Sequence, residues 1–187
     1  ASTGSPSFIK SLTQIPGVDM IAKGNGVAQP VIRGLSMTNI LMLNNGIKLE
    51  NFQFSENHPY LIDEFGVDRV EVIKGPASLL YGSDAVGGVI NVIKEKPAID
   101  GKIEGDYNAQ YHSNTEGLVT NLGIKSRSGD FFYGLRAGIR SHQDYKDGNM
   151  DRVPNTRYNE NSFKVNLGLN RSFGVFRLFY DYNRPKL

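Results

Sequence analysis

The feature that most limits what this chain can become is the strict alternation of apolar and polar residues over its second half. In GKIEGDYNAQYH, Ile103, Gly105, Tyr107, Ala109 and Tyr111 take one side. Lys102, Glu104, Asp106, Asn108, Gln110 and His112 take the other. Leu118, Thr120, Leu122 and Ile124 oppose Asn121, Gly123, Lys125 and Arg127. Phe131, Tyr133, Leu135, Ala137 and Ile139 oppose Gly134, Arg136, Gly138, Arg140 and His142. The pattern returns in Phe163, Val165, Leu167 and Leu169 against Lys164, Asn166, Gly168 and Asn170, and in Phe176, Leu178, Tyr180 and Tyr182 against Arg177, Phe179, Asp181 and Asn183. Period 2 means strands with one apolar and one polar face. The spacing predicts antiparallel strands near 102–112, 116–127, 130–142, 162–171 and 174–183.

The connections alternate too. Residues 113–115 join the first two strands, Ser128-Gly129 is tight, 143–160 is a long polar loop, and Ser172-Phe173-Gly174 is tight again. Tight turns after every second strand share one edge and the longer connections share the other, as in transmembrane barrels with short turns on one side. Alternation alone also fits a soluble antiparallel meander with one wet face. A sandwich would need a second sheet over the apolar face, and the chain has no strands left for it. The polar faces, rich in Lys, Arg, Asn and Gly, suit a wetted interior.

Charge and composition exclude several classes. Net charge is +2 on 21 basic and 19 acidic residues, without the basic excess of a nucleic-acid binder. Cysteine is absent, so there is no disulfide framework, thiol nucleophile or thiolate metal site. No apolar run approaches a transmembrane helix. The mean hydropathy of −0.35 is compatible with barrel strands, whose alternation averages to mild values. No serine, histidine and acid grouping suggests a nucleophile, so an enzyme is not expected. The opening ASTGSPSF has no charged region followed by an apolar one and does not read as a signal peptide.

The first half is mixed. Ser5-Pro6 reads as an N-cap with proline at the first helical position. Phe8, Ile9, Leu12 and Ile15 recur at helical spacing, and Pro16-Gly17 stops the helix. VDMIA, PVIRG, NILML, IKL, RVEVI and GVINVI read as strands. Asn45-Gly46 between NILML and IKL is a hairpin signal, because both central residues need positive φ.

VIKGPASLLYGSDAVGGVINVI, residues 72–93, carries glycine between two strand-like runs. It lacks the GxxxxGK[ST] and GxGxxG patterns of phosphate loops, and Asp84 would repel a phosphate. The glycines therefore turn corners. Pro76 opens a short helix, PASLLY, whose Ala77, Leu79 and Leu80 are expected to pack inward. Gly82 caps it with positive φ, and Gly87-Gly88 lets backbone pack closely before VINVI.

The order LTQIPGV, VIRG, ILMLNNGIKL, DRVEVIKGPASLLYGSDAVGGVINVIKEKP closely resembles the plug domain of TonB-dependent outer-membrane receptors, over residues 6–97. The resemblance implies an α+β plug domain over 1–97, without the TonB box or first strand. Residues 101–187 would then be the first five antiparallel strands of a roughly 22-stranded transmembrane β-barrel, with the plug folded inside it. It further implies uptake of a scarce nutrient, such as siderophore-bound iron, cobalamin, haem or an oligosaccharide, across the outer membrane of a Gram-negative bacterium. The plug would reach the periplasm. Energy would come from proton-motive force through TonB and its inner-membrane complex. Outer-membrane lipid and a small-molecule nutrient are the expected partners, nucleic acid is not, and no cofactor is expected. A non-transporting outer-membrane binding or signalling module on the same plug is the alternative, because nothing in ASTGS matches a TonB box.

Arg33 in VIRG and Lys74 in VIKG match positions where the family carries basic plug residues paired with glutamates on the barrel wall. A charge buried between two bodies needs a partner. Lys74 replaces the commoner arginine and loses its bidentate fork. The plug's outer segments, 23–29 and 50–60, face the ligand in this family. Lys23, Asn25, Gln29, Asn51, Phe52, Phe54, Asn57, His58 and Tyr60 are the ligand-binding candidates, because such side chains stack on and hydrogen-bond a medium-sized ligand. In DYKDGNMD, Asp144, Asp147 and Asp151 miss the EF-hand spacing but form a weak calcium candidate. His58, His112 and His142 have no metal-ligand spacing and read as unrelated surface histidines. Arg136 and Arg140 would face the barrel interior, solvated by water and plug carboxylates.

Overall fold

The structure, a computed structural model, describes residues 8–22, 27–49 and 63–186. The chain divides into two compact units, Ala1–Glu95 and Lys96–Leu187.

The first unit opens with helix α1 (Phe8–Leu12), which ends in turns before Pro16-Gly17, so Ile15 lies beyond the helix that its spacing suggested. Strands β1 (Val18–Ala22), β2 (Ala28–Ile32) and β3 (Leu35–Ser36) form an antiparallel three-stranded sheet. Strands β4 (Ile40–Asn44), β5 (Ile47–Lys48), β6 (Val67–Ile73) and β7 (Gly88–Lys94) form a second sheet in the order β5-β4-β7-β6. Here β4 and β7 run parallel, while β6 is antiparallel to β7. A parallel pair cannot be joined by a hairpin, so the 43 residues between β4 and β7 must cross over.

Both faces of β4 are covered, which accounts for the unbroken apolar run ILML. Ile40 and Met42 pack with Ile90, Val92, Ile32 and the α1 residues Phe8, Ile9 and Leu12. Leu41 and Leu43 pack with Val89 and Ala85 on the other face. Asn45 and Gly46 take the positive φ that the hairpin demands, at 54° and 82°. Buried Asn91 holds that turn, its Oδ1 accepting from the Gly46 amide at 3.0 Å.

Gly87 and Gly88 do permit close packing. A Cβ on Gly87 would lie 2.9 Å from the Asn39 carbonyl, and one on Gly88 2.8 Å from the Ile73 carbonyl. The expectation for PASLLY is overturned. Pro76–Tyr81 is a 3-10 helix, and its buried residue is Ser78, with Leu79 and Leu80 exposed at 61% and 88%. The tighter winding turns Ser78 inward, where its hydroxyl donates to the Ala85 carbonyl at 2.6 Å.

The second unit is one antiparallel sheet in sequential order: β8 (Ile103–His112), β9 (Gly117–Ser128), β10 (Phe131–His142), β11 (Tyr158–Arg171) and β12 (Gly174–Lys186). The pattern places all five strands. However, β11 begins four residues before 162 and β12 ends three after 183, because Asn159–Asn161 pair with Arg184–Lys186. The loop accordingly spans 143–157. The register sets Tyr107, Leu122, Ala137, Phe163 and Tyr182 in one row across the sheet, and Asp106, Gly123, Arg136, Lys164 and Asp181 in the next. The faces are inverted relative to a water-soluble sheet. Leu118, Leu122, Leu135, Ile139, Phe176 and Leu178 are exposed, while Asn121, Arg136, Arg140, His142 and Glu160 are buried. A contiguous exposed apolar face of this size suits a lipid surface. No helix among the described residues is long and apolar enough to cross a membrane.

Candidate functional site

In the first unit, three glycine-containing corners converge around the two basic residues of interest. Arg33 sits in the β2–β3 turn with φ of 52°, its amide donating to the Gly17 carbonyl at 3.1 Å. Its side chain is exposed, and its Nη1 would lie 3.8 Å from a Cβ on Gly75. Lys74, just before Gly75, donates from Nζ to the Pro16 carbonyl at 2.6 Å. Lys74 therefore ties the end of β6 to the corner that follows α1, where the sequence suggests a barrel-wall contact. Arg33 keeps an exposed guanidinium on the same corner.

Of the ligand-facing candidates, Lys23, Asn25, Asn51, Phe52, Phe54, Asn57, His58 and Tyr60 lie outside the described residues. Gln29 is described and is 1% exposed. It sits in β2, the central strand of its sheet, so it is not on a ligand-facing surface here.

On the polar face of the second unit, Arg136 reaches across β9 to Asp106. Its Nη1 and Nη2 donate to the two carboxylate oxygens at 2.7 and 2.6 Å, and Nη1 also donates to Asn121 Oδ1 at 2.6 Å. Gly123 makes this possible, since a Cβ there would lie 2.5 Å from the guanidinium carbon. Arg140 Nε lies 4.0 Å from Glu160, which also accepts from the Tyr158 hydroxyl. Both arginines thus find carboxylates on other strands of their own sheet, Arg136 two strands away and Arg140 on the adjacent one, where the sequence reading supplied water and plug acids.

The connections 113–116 and 143–157 meet at one end of this sheet. Asn114 exchanges hydrogen bonds with the Lys146 backbone at 2.8 and 3.1 Å, and Glu116 pairs with Lys146 at 3.0 Å and Arg152 at 2.6 Å. These two cations hold the Glu116 carboxyl below its ordinary range. Asp147 Oδ1 accepts from the Asn149 and Asp151 amides at 2.9 and 3.0 Å. Asp144 Oδ1 accepts from the Thr156 and Arg157 amides at 2.8 and 2.7 Å. Asp144, Asp147 and Asp151 therefore organise turns. Among the described residues no three acidic, histidine or cysteine side chains could together hold a metal ion.

The Thr156 amide, followed by that of Arg157, lowers the Asp144 pKa. A depressed carboxylate stabilises above its unfolded pKa and loses that contribution as pH falls through the folded value. The loop is therefore expected to become more susceptible to protease only as pH falls below the ordinary carboxylate value of 3.8, and Asp144→Asn to show that susceptibility already at pH 7. Equal cleavage of both proteins at pH 7 would sink the assignment.

The sheet also joins two histidines that sequence spacing left apart. His112 and His142 end β8 and β10, and their ring centroids lie 5.2 Å apart. The signal available in the sequence was indirect: both end alternating strands that flank one strand beginning with glycine.

Residues 1–89 match the family described as TonB-dependent Receptor Plug Domain. The vitamin B12 transporter BtuB of Photobacterium profundum is 35% identical over 88 residues, 46% of this chain and 14% of the relative. Among solved structures, the copper transporter OprC superposes with a TM-score of 0.82 at 23% identity, covering 97% of this chain and 29% of that one. The ferric enterobactin receptor PfeA, in complex with BCV-L6, superposes with a TM-score of 0.74 at 18% identity, over 97% and 31%. The chain thus spans about one-seventh of this curated relative's length. The structural likenesses cover both units and give the same fold, a plug followed by antiparallel barrel strands. These are receptors and transporters, not enzymes. Residues 1–89 thus match the plug domain of the TonB-dependent receptors, and the antiparallel sheet behind them has the fold of the barrel strands that follow such a plug.

Proposed function

We propose that the protein takes up a scarce nutrient across the outer membrane of a Gram-negative bacterium, using energy delivered through TonB and its inner-membrane complex. The plug-domain match over residues 1–89 carries this reading. The exposed apolar rows of β8–β12 support it, since they suit outer-membrane lipid. In this reading β8–β12 are the first five strands of a roughly 22-stranded barrel whose wide lumen the plug fills. The plug comprises 1–97 and reaches the periplasm.

The substrate class is a metal chelate or cofactor of medium size. A corrinoid, a ferric siderophore and a copper complex are the first to test, as suggested by what the similar proteins are named for. Lys23, Asn25, Asn51, Phe52, Phe54, Asn57, His58 and Tyr60 are proposed as ligand contacts on chemical type. The test is uptake of labelled cobalamin, ferric siderophore and copper by cells with and without the gene, each with TonB present or deleted. Uptake of one substrate that needs both genes supports transport. Binding at the cell surface without TonB-dependent uptake of any of them supports the binding or signalling module.

Arg33 is proposed as the basic residue of the plug–barrel contact, since its guanidinium is exposed where the ammonium of Lys74 is engaged with Pro16. In the intact receptor, Arg33→Ala is expected to lower uptake several-fold with ligand affinity unchanged. Normal uptake by a well-expressed variant would remove Arg33 from that role.

A further inference from the structure

The pair His112 and His142 has the makings of a site. Gly117 pairs with His112 on β9, and a Cβ there would collide with the His142 ring. With no side chain in the way, the His142 ring lies across β9, its plane 53° from that of His112. His142 is 1% exposed, and the Nε2 atoms of both rings are buried with no hydrogen-bond partner. Buried polar atoms rarely go unpaired without a reason.

Thr115 occupies the Nδ1 side of His142 and leaves Nε2 as the nitrogen to bind. Its hydroxyl donates to the His112 carbonyl at 3.4 Å and lies 2.8 Å from His142 Nδ1. In the tautomer that carries its hydrogen on Nδ1, the hydroxyl accepts from Nδ1–H. Nε2 is then left with a lone pair. A ligating histidine is typically oriented this way, by a hydrogen bond at its other nitrogen.

The separation fits too. An imidazole nitrogen stands about 2.0–2.1 Å from zinc, with the ring centre about 1.1 Å further along that line, so two rings at a tetrahedral angle have centres about 5.2 Å apart. The observed centroids are 5.2 Å apart. The nearest cation on the same face of β10, Arg140, is offset by Glu160 at 4.0 Å.

We propose that His112 and His142 form a two-imidazole site for a late first-row divalent ion such as Zn²⁺, Ni²⁺ or Cu²⁺. The ion is held by the two Nε2 atoms, and other donors complete its coordination. Nitrogen ligands exclude Ca²⁺ and Mg²⁺ as occupants, since these take oxygen. The site stands whether or not the protein transports, because it rests on the second unit's own geometry.

The experiment is calorimetric titration of Zn²⁺, with Ca²⁺ in parallel, into the full-length, tag-free receptor in detergent. Wild type, His112→Gln, His142→Gln and Thr115→Val are compared. One zinc site is expected in wild type and no calcium site of similar affinity. Either histidine variant should lose the zinc site, and Thr115→Val should weaken it by about 10–100-fold. A folded His142→Gln protein that binds zinc like wild type overturns the proposal. Should the histidine variants fail to fold, wild-type crystals soaked in Zn²⁺ decide by anomalous diffraction. A peak about 2 Å from both Nε2 atoms supports the site, and its absence there overturns it.

Discussion

Gly88→Val is expected to destabilise the first unit by about 2–6 kcal/mol, from roughly 1–3 each for backbone strain and overpacking. Gly88 has φ of 148°, a conformation that side-chain-bearing residues rarely adopt. A Cβ there would lie 2.8 Å from the Ile73 carbonyl and 2.9 Å from Ile32 Cδ1. The carbonyl is backbone and cannot swing away, and Ile32 is fully buried in the core. Gly88 also begins the parallel pairing with Ile40, so the clash falls where β7 meets β4. Amide hydrogen exchange is the measurement. Protection should collapse across β4 and β7 in Gly88→Val, while Gly46→Ala, which meets nothing within 4 Å, should lose much less. Wild-type protection of β7 in Gly88→Val would show that the strand can yield there.

The second large effect concerns the exposed apolar face. Leu135→Arg is expected to cost about 2–4 kcal/mol if Leu135 lies at mid-bilayer, and Gly134→Arg far less. Leu135 is 41% exposed, with Ile124 and Val165 opposite it on the flanking strands. A cation there has only hydrocarbon around it. Gly134 points to the polar face, and a Cβ on it meets Lys125 and Asn166 at 3.6 and 3.7 Å, ordinary contacts that need no rearrangement. The full-length variants should differ in the fraction inserted into outer membranes, read by the heat-dependent gel shift of folded barrels. Equal insertion would mean that this face does not meet lipid.

Much of this was legible because period 2 is a property of the chain alone. Alternation located β8–β12, and the Asn45-Gly46 turn and the Gly87-Gly88 approach follow from what glycine and asparagine permit. The far ends of β11 and β12 were not legible, because Asn159–Asn161 and Arg184–Lys186 show no alternation of apolar and polar residues and are strand only through pairing with each other. Leu79 and Leu80 misled because apolar residues in a short helix suggest burial, while the 3-10 winding gives the inward place to Ser78. Lys74 and Arg33 are alike in the sequence, and only the fold shows that one reaches the Pro16 carbonyl and the other does not bury its charge. The meeting of His112 and His142 depends on two strands sharing a neighbour, which no local spacing encodes.

The glycines under Arg136, His142 and Phe132 have a consequence for how this sheet can evolve. Arg136 lies over Gly123, His142 over Gly117 and Phe132 over Gly168, each large side chain filling the space that a neighbouring strand leaves empty. Such positions exchange only as pairs. A side chain gained at 123 requires a smaller residue at 136 and leaves Asp106 without its guanidinium, so 106, 123 and 136 form one covarying triplet across three strands. A change at 168 constrains 132 in the same way, and Arg177, 5.6 Å over the Phe132 ring, is drawn in with it. In related chains these substitutions should therefore travel together, in lines running perpendicular to the strands.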